Sequence, residues 1–333
     1  MATGRGYASR SVRHQIYLQR YNAGVVRQML ALLNRTDRDI VARLRDMPDV
    51  ASQRALNDVL AQIQVVTDQL TADFGGLLRE AVGGLSIYEA QFARELGQAV
   101  SGVQWAGPTI EQVRAAALSR PFAGAQLSWA NLGDQLDEYG RRRAALVRDT
   151  IRRGFLEGDS VDELVSRLVG SSSLNYRDGI LEASRRTAET IVRTALNHTA
   201  NAAREEVYKA NQHLISGVRW TAILDGRTSA VCRGRDGEVY PLDSGPRPPA
   251  HPNCRSTTVP VFDGEDPPNM PTYSQWLREQ DREFVEEVLG KQKAALFLDG
   301  KLSLDRFIDN AGHEYTLDQL RTRDAAAFKR AKL

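Results

Sequence analysis

Apolar residues recur at three- and four-residue steps through the first third of the chain, the spacing that lines up side chains on one face of an α-helix. Over residues 14–44 the stripe is Ile16, Tyr17, Val25, Val26, Met29, Leu30, Leu33, Ile40, Val41 and Leu44. A second stripe, over residues 51–81, carries Leu56, Val59, Leu60, Ile63, Val66, Leu70, Phe74, Leu77 and Leu78. Gly83-Gly84 is expected to break it, since glycine weakens a helix interior, and a further helix follows over residues 86–100. Residues 101–131 change texture: Trp105, Gly107-Pro108, Pro121 and Trp129 mark a connector, within which Thr109-x-x-Gln112 reads as a helix start.

Helix returns over residues 132–156, polar and arginine-rich (Arg141-Arg142-Arg143, Arg152-Arg153), and Gly158 closes it. Ser160 and Glu163 frame a capping box for a short helix that ends before Gly170. A long helix is predicted over about 180–210, with Ile191, Val192, Ala195, Leu196, Ala203 and Val207 on one face. Alternating β-type sequence occurs only at residues 218–224, 239–242 and 257–261, with Arg235-Asp236-Gly237-Glu238 as a hairpin signal. Residues 273–297 and 317–330 are again helical. The fold class is therefore mainly α. Residues 1–130 form a helical, arginine-rich docking region. Residues 131–333 form an α+β domain with a small β-hairpin subdomain at about 218–262 and a helical tail at 272–333.

Composition narrows the function classes. With 42% hydrophobic and 26% charged residues in 333, the chain can bury a core and is not of disordered composition. It has no apolar run of membrane-spanning length, so no membrane partner is expected, and the polar, basic N-terminus does not read as a secretory signal. The net charge of +2 conceals an asymmetry: residues 1–45 hold nine arginines against Asp37 and Asp39. That segment is either a solvated helix face or a basic arm that meets DNA phosphates or an acidic protein surface.

Two cysteines do not make a secreted disulfide framework, but Cys232 and Cys254 flank His251 within a short span. Cys232, His251-x-x-Cys254 and Asp225, the nearest fourth donor, are the ligand set of a tetrahedral structural zinc site. The same residues also suit a disulfide, or buried thiols beside a hydrogen-bonded imidazole. As an enzyme the chain would use Cys232/His251 as a nucleophile and base, but no Gly-elbow or helix-start context activates the thiol. Asp225 and Arg227 are expected to brace a turn as an ion pair, Trp220 and Trp276 to be core, and Arg141–Arg143 to face solvent. His14, His198, His213 and His313 carry no assignment.

The block from Trp220 to Arg255 resembles the C-terminal core of the Mu F-type head-morphogenesis (minor head) proteins of tailed bacteriophages. Trp220, Asp225-x-Arg227-Thr228, Cys232 and Pro249-x-His251-Pro252-x-Cys254-Arg255 follow that family's order, while Ser229 and Ser256 stand where it has two further cysteines. Gly158–Leu164, Arg186–Ala195, Tyr273-x-x-Trp276-Leu277 and Gly300-Lys301-Leu302 extend the resemblance over roughly residues 140–320. It implies a non-enzymatic virion protein of the phage head, made in the host bacterial cytoplasm. Such a protein sits near the portal, contacts portal and capsid proteins, and is packaged inside the capsid and ejected with the DNA. The alternative is a phage-borne enzyme or toxin. With two thiols replaced by serine, the Cys/His turn is expected to be packed and free of cofactor, with structural zinc as the competing reading.

Overall fold

The computed structural model describes residues 3–48, 52–122, 131–265, 270–309 and 313–331. Trp129, residue 51 and the side chains of Arg5 and Ile16 lie outside that description. The order of elements is α1 (Thr3–Arg45), α2 (Gln53–Ser101), α3 (Ile110–Ser119), α4 (Leu132–Glu157), α5 (Val161–Val169), α6 (Ile180–Ala210), β1 (Ile215–Thr221), α7 (Ala230–Arg235), β2 (Val239–Tyr240) and β3 (Thr257–Phe262), then α8 (Tyr273–Arg278), α9 (Arg282–Leu289), α10 (Lys291–Leu298), α11 (Leu317–Arg323) and α12 (Ala325–Ala331). The protein is mainly helical with one small antiparallel sheet, as the hydrophobic periodicity predicts.

Contacts group these elements into two compact units. The helical unit comprises Leu18–Gly84 and Trp129–Leu196; the sheet-bearing unit comprises Met1–Tyr17, Leu85–Ser128 and Asn197–Leu333. Each unit is assembled from discontinuous stretches, so neither coincides with residues 1–130 or 131–333. In the helical unit, Leu18, Val25, Val26, Met29, Leu33, Ile40 and Leu44 of α1 are all buried, one helical stripe. Its lower part packs with Leu56, Leu60 and Ile63 of α2, Val147 and Ile151 of α4, Leu164 and Leu168 of α5, and Leu181 of α6. Pro48 follows the end of α1, and a residue preceding proline is biased away from helix. Inside this unit Asp37 is buried and accepts hydrogen bonds from Arg143 and Arg185. Arg143 therefore leaves the solvated Arg141–Arg143 face expected from sequence, while Arg141 and Arg142 stay exposed.

The Gly83-Gly84 break does not occur, and α2 is one uninterrupted helix. Val82 and Leu85 on either side are buried, and burial of that stripe outweighs the glycine penalty. Gly97 of the same helix has a different reason to be there: a Cβ would overlap the ring of Trp105, which is buried against it. The arginine-rich N-terminus is likewise no loose arm. Arg10, Arg13, Arg20, Arg27, Arg35, Arg38 and Arg45 are exposed on a helix whose other face is core.

In the sheet-bearing unit β1 is the central strand, antiparallel to β2 and β3, in the order β2-β1-β3. Thr221 pairs with Thr257 and Ile215 with Phe262. The first strand begins three residues earlier than the 218–224 sequence pattern suggests, because Ile215 is buried and paired while residues 222–224 turn away. The predicted tight hairpin is a longer excursion: α7 occupies Ala230–Arg235, and only then does Asp236-Gly237, with Gly237 at φ 91°, turn the chain into β2. The tail is divided as well, since Asp281 caps α9 and Gly290, at φ 78°, separates α9 from α10. These short helices close on a core of Tyr273, Leu277, Val285, Phe297, Phe307 and Phe328.

Two substitutions test this packing. Asp37→Ala leaves the Arg143 guanidinium buried without its carboxylate and should cost roughly 3–5 kcal/mol in chemical denaturation. Gly84→Ala, where a Cβ meets nothing within 4 Å, should stabilise by about 0.5–1 kcal/mol, whereas Gly97→Ala should destabilise by displacing Trp105.

Candidate functional site

The site begins with the loop after β1. Asp225 accepts two hydrogen bonds from the Arg255 guanidinium, both 2.7 Å, and one from the Arg227 backbone N–H at 3.0 Å. Bidentate bonding of this kind fixes geometry as well as charge. Those Arg255 bonds hold the Asp225 carboxyl below its ordinary range. The bracing ion pair is thus Asp225–Arg255, with the Arg227 guanidinium more distant at 3.6 Å. Thr228 donates to the Ile223 carbonyl at 2.5 Å, and the Tyr273 hydroxyl donates to the Asp225 carbonyl at 2.9 Å, tying the loop to α8.

Cys232 lies in the first turn of α7, the helix-start context that the sequence did not show, and its side chain is buried in a core of Trp220, Ala222, Val231, Ala250 and Cys254. His251 and Cys254 close a tight turn, in which the Cys254 N–H donates to the His251 carbonyl at 3.1 Å. Asn253 sits at φ 59°, a left-handed conformation that asparagine tolerates better than most residues. The turn carries His251 Nε2 to 3.3 Å from Cys232 Sγ and 2.7 Å from Ser229 Oγ, while the two sulfurs lie 3.6 Å apart. Both cysteines are free thiols, each 2% exposed. Burial pushes the Cys232 thiol well above its ordinary value. Burial also opposes a charged Cys254, but hydrogen bonds with Cys232 and His251 prevail and hold its pKa well below the usual thiol range. For His251, burial alone would lower the pKa; its bond and attraction to Cys254 prevail and raise it. The structure therefore brings together Cys232, His251 and Cys254 as a grouped donor set and leaves Asp225 outside it, engaged by Arg255.

What holds this turn was not legible in the sequence. Every residue from 197 to 205 of α6 is buried, including Asn197, Asn201 and Arg204. Asn197 donates to the Ser256 carbonyl at 3.2 Å, Thr257 Oγ1 donates to Asn201 at 2.9 Å, and Arg204 Nη1 donates to Thr257 Oγ1 at 2.8 Å. Arg204 also donates from Nε to Glu89 at 2.7 Å, and Glu89 lies 2.7 Å from His14 Nε2. Gln15 donates to the Arg255 carbonyl at 3.1 Å. His14 and His198, which carried no sequence assignment, are both buried. The signal that was available is polar residues spaced four and three apart, Asn197, Asn201 and Arg204. On a helix taken to be half-solvated they read as its wet face.

His198 makes the acid sensitivity of this unit measurable. Burial, and then the charge of Arg120, push its pKa down to about 4. An unfolded imidazole titrates near about 6.5, so between these values the unfolded chain binds a proton that the native chain does not. Stability is then fully present above about 6.5 and falls as pH drops towards about 4, by up to about 3 kcal/mol. Urea denaturation at about pH 4.5 and about pH 7 should show this loss, and His198→Gln should flatten it.

Residues 145–259 match the family model described as Phage Mu protein F like protein. No curated protein and no solved structure matches the chain. The matched span runs from within α4 to β3 and includes Asp225, Cys232, His251, Cys254 and the α6 residues that hold their turn. Over residues 145–259, 115 of its 333 residues, the chain is thus similar to the phage Mu protein F-like family.

Proposed function

We propose that this protein is a minor structural and assembly component of the phage head, placed near the portal, packaged inside the capsid and ejected with the DNA. The observation that carries the reading is the family match over residues 145–259. Its partners on this reading are portal and capsid proteins and, through the basic face of α1, packaged DNA. Arg38 and Arg45 of that face, with Arg177 and Arg186, line a groove of about 1350 Å³ in the helical unit whose apolar lining includes Val41 and Leu181. Asp37, Asp46 and Glu182 share the lining, so its charge is mixed; the exposed Arg38, Arg45, Arg177 and Arg186 supply the positive part that suits an acidic surface of another virion protein, with phosphates as the second anionic partner.

The reading is non-enzymatic. A Cys232/His251 nucleophile would need an accessible thiolate, and Cys232 is buried with its thiol pushed up. Among the described residues no helix is long and apolar enough to cross a membrane.

Mass spectrometry of purified particles tests the assignment: the chain should be present, at far fewer copies than the major capsid protein. Its absence from particles overturns the assignment. Docking is tested separately, because deleting residues 1–45 would remove Tyr7, His14 and Gln15 from the sheet-bearing unit along with the basic face. Reversing charge at the exposed Arg20, Arg27, Arg35 and Arg38 should leave folding within about 0.5 kcal/mol per site and yet deplete the protein from heads. Normal incorporation of that variant would show that this face does not dock.

A further inference from the structure

We propose that Cys232, Cys254 and His251 bind a zinc ion. The serine replacements at 229 and 256 favour a metal-free turn when only the sequence is read; the side-chain geometry argues the other way. Tetrahedral zinc with Zn–S near 2.3 Å and Zn–N near 2.05 Å places two sulfurs about 3.8 Å apart and a sulfur and nitrogen about 3.6 Å apart. The two sulfurs here are 3.6 Å apart, and Cys232 Sγ is 3.3 Å from His251 Nε2. The three ligand atoms all lie within 4.8 Å of one another. Two sides of the ligand triangle, the Sγ–Sγ and the Cys232 Sγ–His251 Nε2 separations, therefore lie within about 0.3 Å of tetrahedral zinc geometry.

The surroundings supply what a zinc-ligating histidine needs. Nδ1 of His251 lies 2.8 Å from the Pro252 carbonyl. A carbonyl can only accept, so the proton sits on Nδ1 and Nε2 is the nitrogen aimed at the sulfurs. Cys254 is fixed by the turn, and the turn by the bonds of Asn197 and Gln15 to the carbonyls of Ser256 and Arg255. The ligands are thus held by hydrogen bonds that do not use the ion.

Two thiolates in a buried pocket are unfavourable alone. Arg255, whose guanidinium neighbours both thiols, is committed to Asp225 through two 2.7 Å bonds. Zn2+ neutralises both thiolates, and binding releases to solvent the protons that the two thiols and Nε2 would otherwise share. Asp225 is not free to ligate, so the fourth position falls to the Ser229 hydroxyl or to water. Ser229 and His251 are the half-buried members of the cluster and put that position on its solvent side. A borderline-soft ion such as Zn2+ fits two sulfurs and an imidazole, whereas Mg2+ and Ca2+ require oxygen donors.

The inference is independent of the role in the phage head and is tested on the purified full chain. Protein produced with zinc in the medium and dialysed should retain about one zinc per chain by elemental analysis. Exchange for cobalt should give the strong visible bands of a tetrahedral, thiolate-bound ion in the wild-type protein, so the result does not depend on a variant folding. Cys254→Ser should lose the metal, His251→Gln should weaken binding, and a chelator should lower the melting temperature of the wild type but not of Cys254→Ser. A folded wild type with no zinc above the buffer blank and no cobalt–thiolate bands overturns the proposal. So does isolation of the chain with Cys232 and Cys254 joined as a disulfide.

Discussion

A carboxylate with no solvent exposure sits at the centre of the sheet-bearing unit. Glu89 is surrounded by the Arg204 guanidinium and the His14 imidazole, themselves buried. Burial works against its charge, but Arg204 and His14 outweigh that and hold its pKa below the ordinary carboxylate value. A buried charge is tolerated only while its partners remain in place, and removing one partner typically costs several kcal/mol, roughly 3–5. The pairing therefore specifies where α1, α2 and α6 lie in this unit more tightly than apolar contact could. It also reaches the site, because Arg204 donates as well to Thr257, the first residue of β3 and three positions beyond Cys254.

The helical unit uses the same device. Asp37 takes Arg143 and Arg185, from α4 and α6, around one buried carboxylate. Both pairs are polar specifications placed beside apolar stripes that, on their own, would allow helices to slide by a turn. Whether such pairs add net stability over apolar replacements is a separate matter from their directional role. The aromatic neighbours suit that role: His14 stacks on Phe92 with ring centroids 3.7 Å apart, and Phe74 meets Tyr139 edge-on at 5.5 Å.

Much of the local structure was legible because it is written in local chemistry. The Thr109/Gln112 and Ser160/Glu163 capping boxes, the Gly158 stop and the Ile180–Ala210 helix all follow from residues within a few positions of one another. The convergence of Cys232, His251 and Cys254 was legible from spacing and from the family resemblance. Tertiary outcomes were not. Gly83-Gly84 continues a helix because of what Val82 and Leu85 bury, and Arg143 turns inward because Asp37 awaits it 106 positions away. Asp225 gave up its place as a ligand for the same kind of reason, a partner 30 positions on in Arg255. Glu89, Arg204, Asn197 and Asn201 look like surface residues of amphipathic helices, and nothing local in the sequence says that another element covers them.

Through Thr257, the Glu89–Arg204 pair positions the turn that carries His251 and Cys254. Amide hydrogen exchange of the Glu89→Gln variant tests it most directly, with the helical unit's core around Val147 and Ile151 as the internal reference. Amides around Cys254–Val259 should lose protection while those of the reference core keep theirs. Unchanged protection at the turn, or an equal loss in both places, would contradict it.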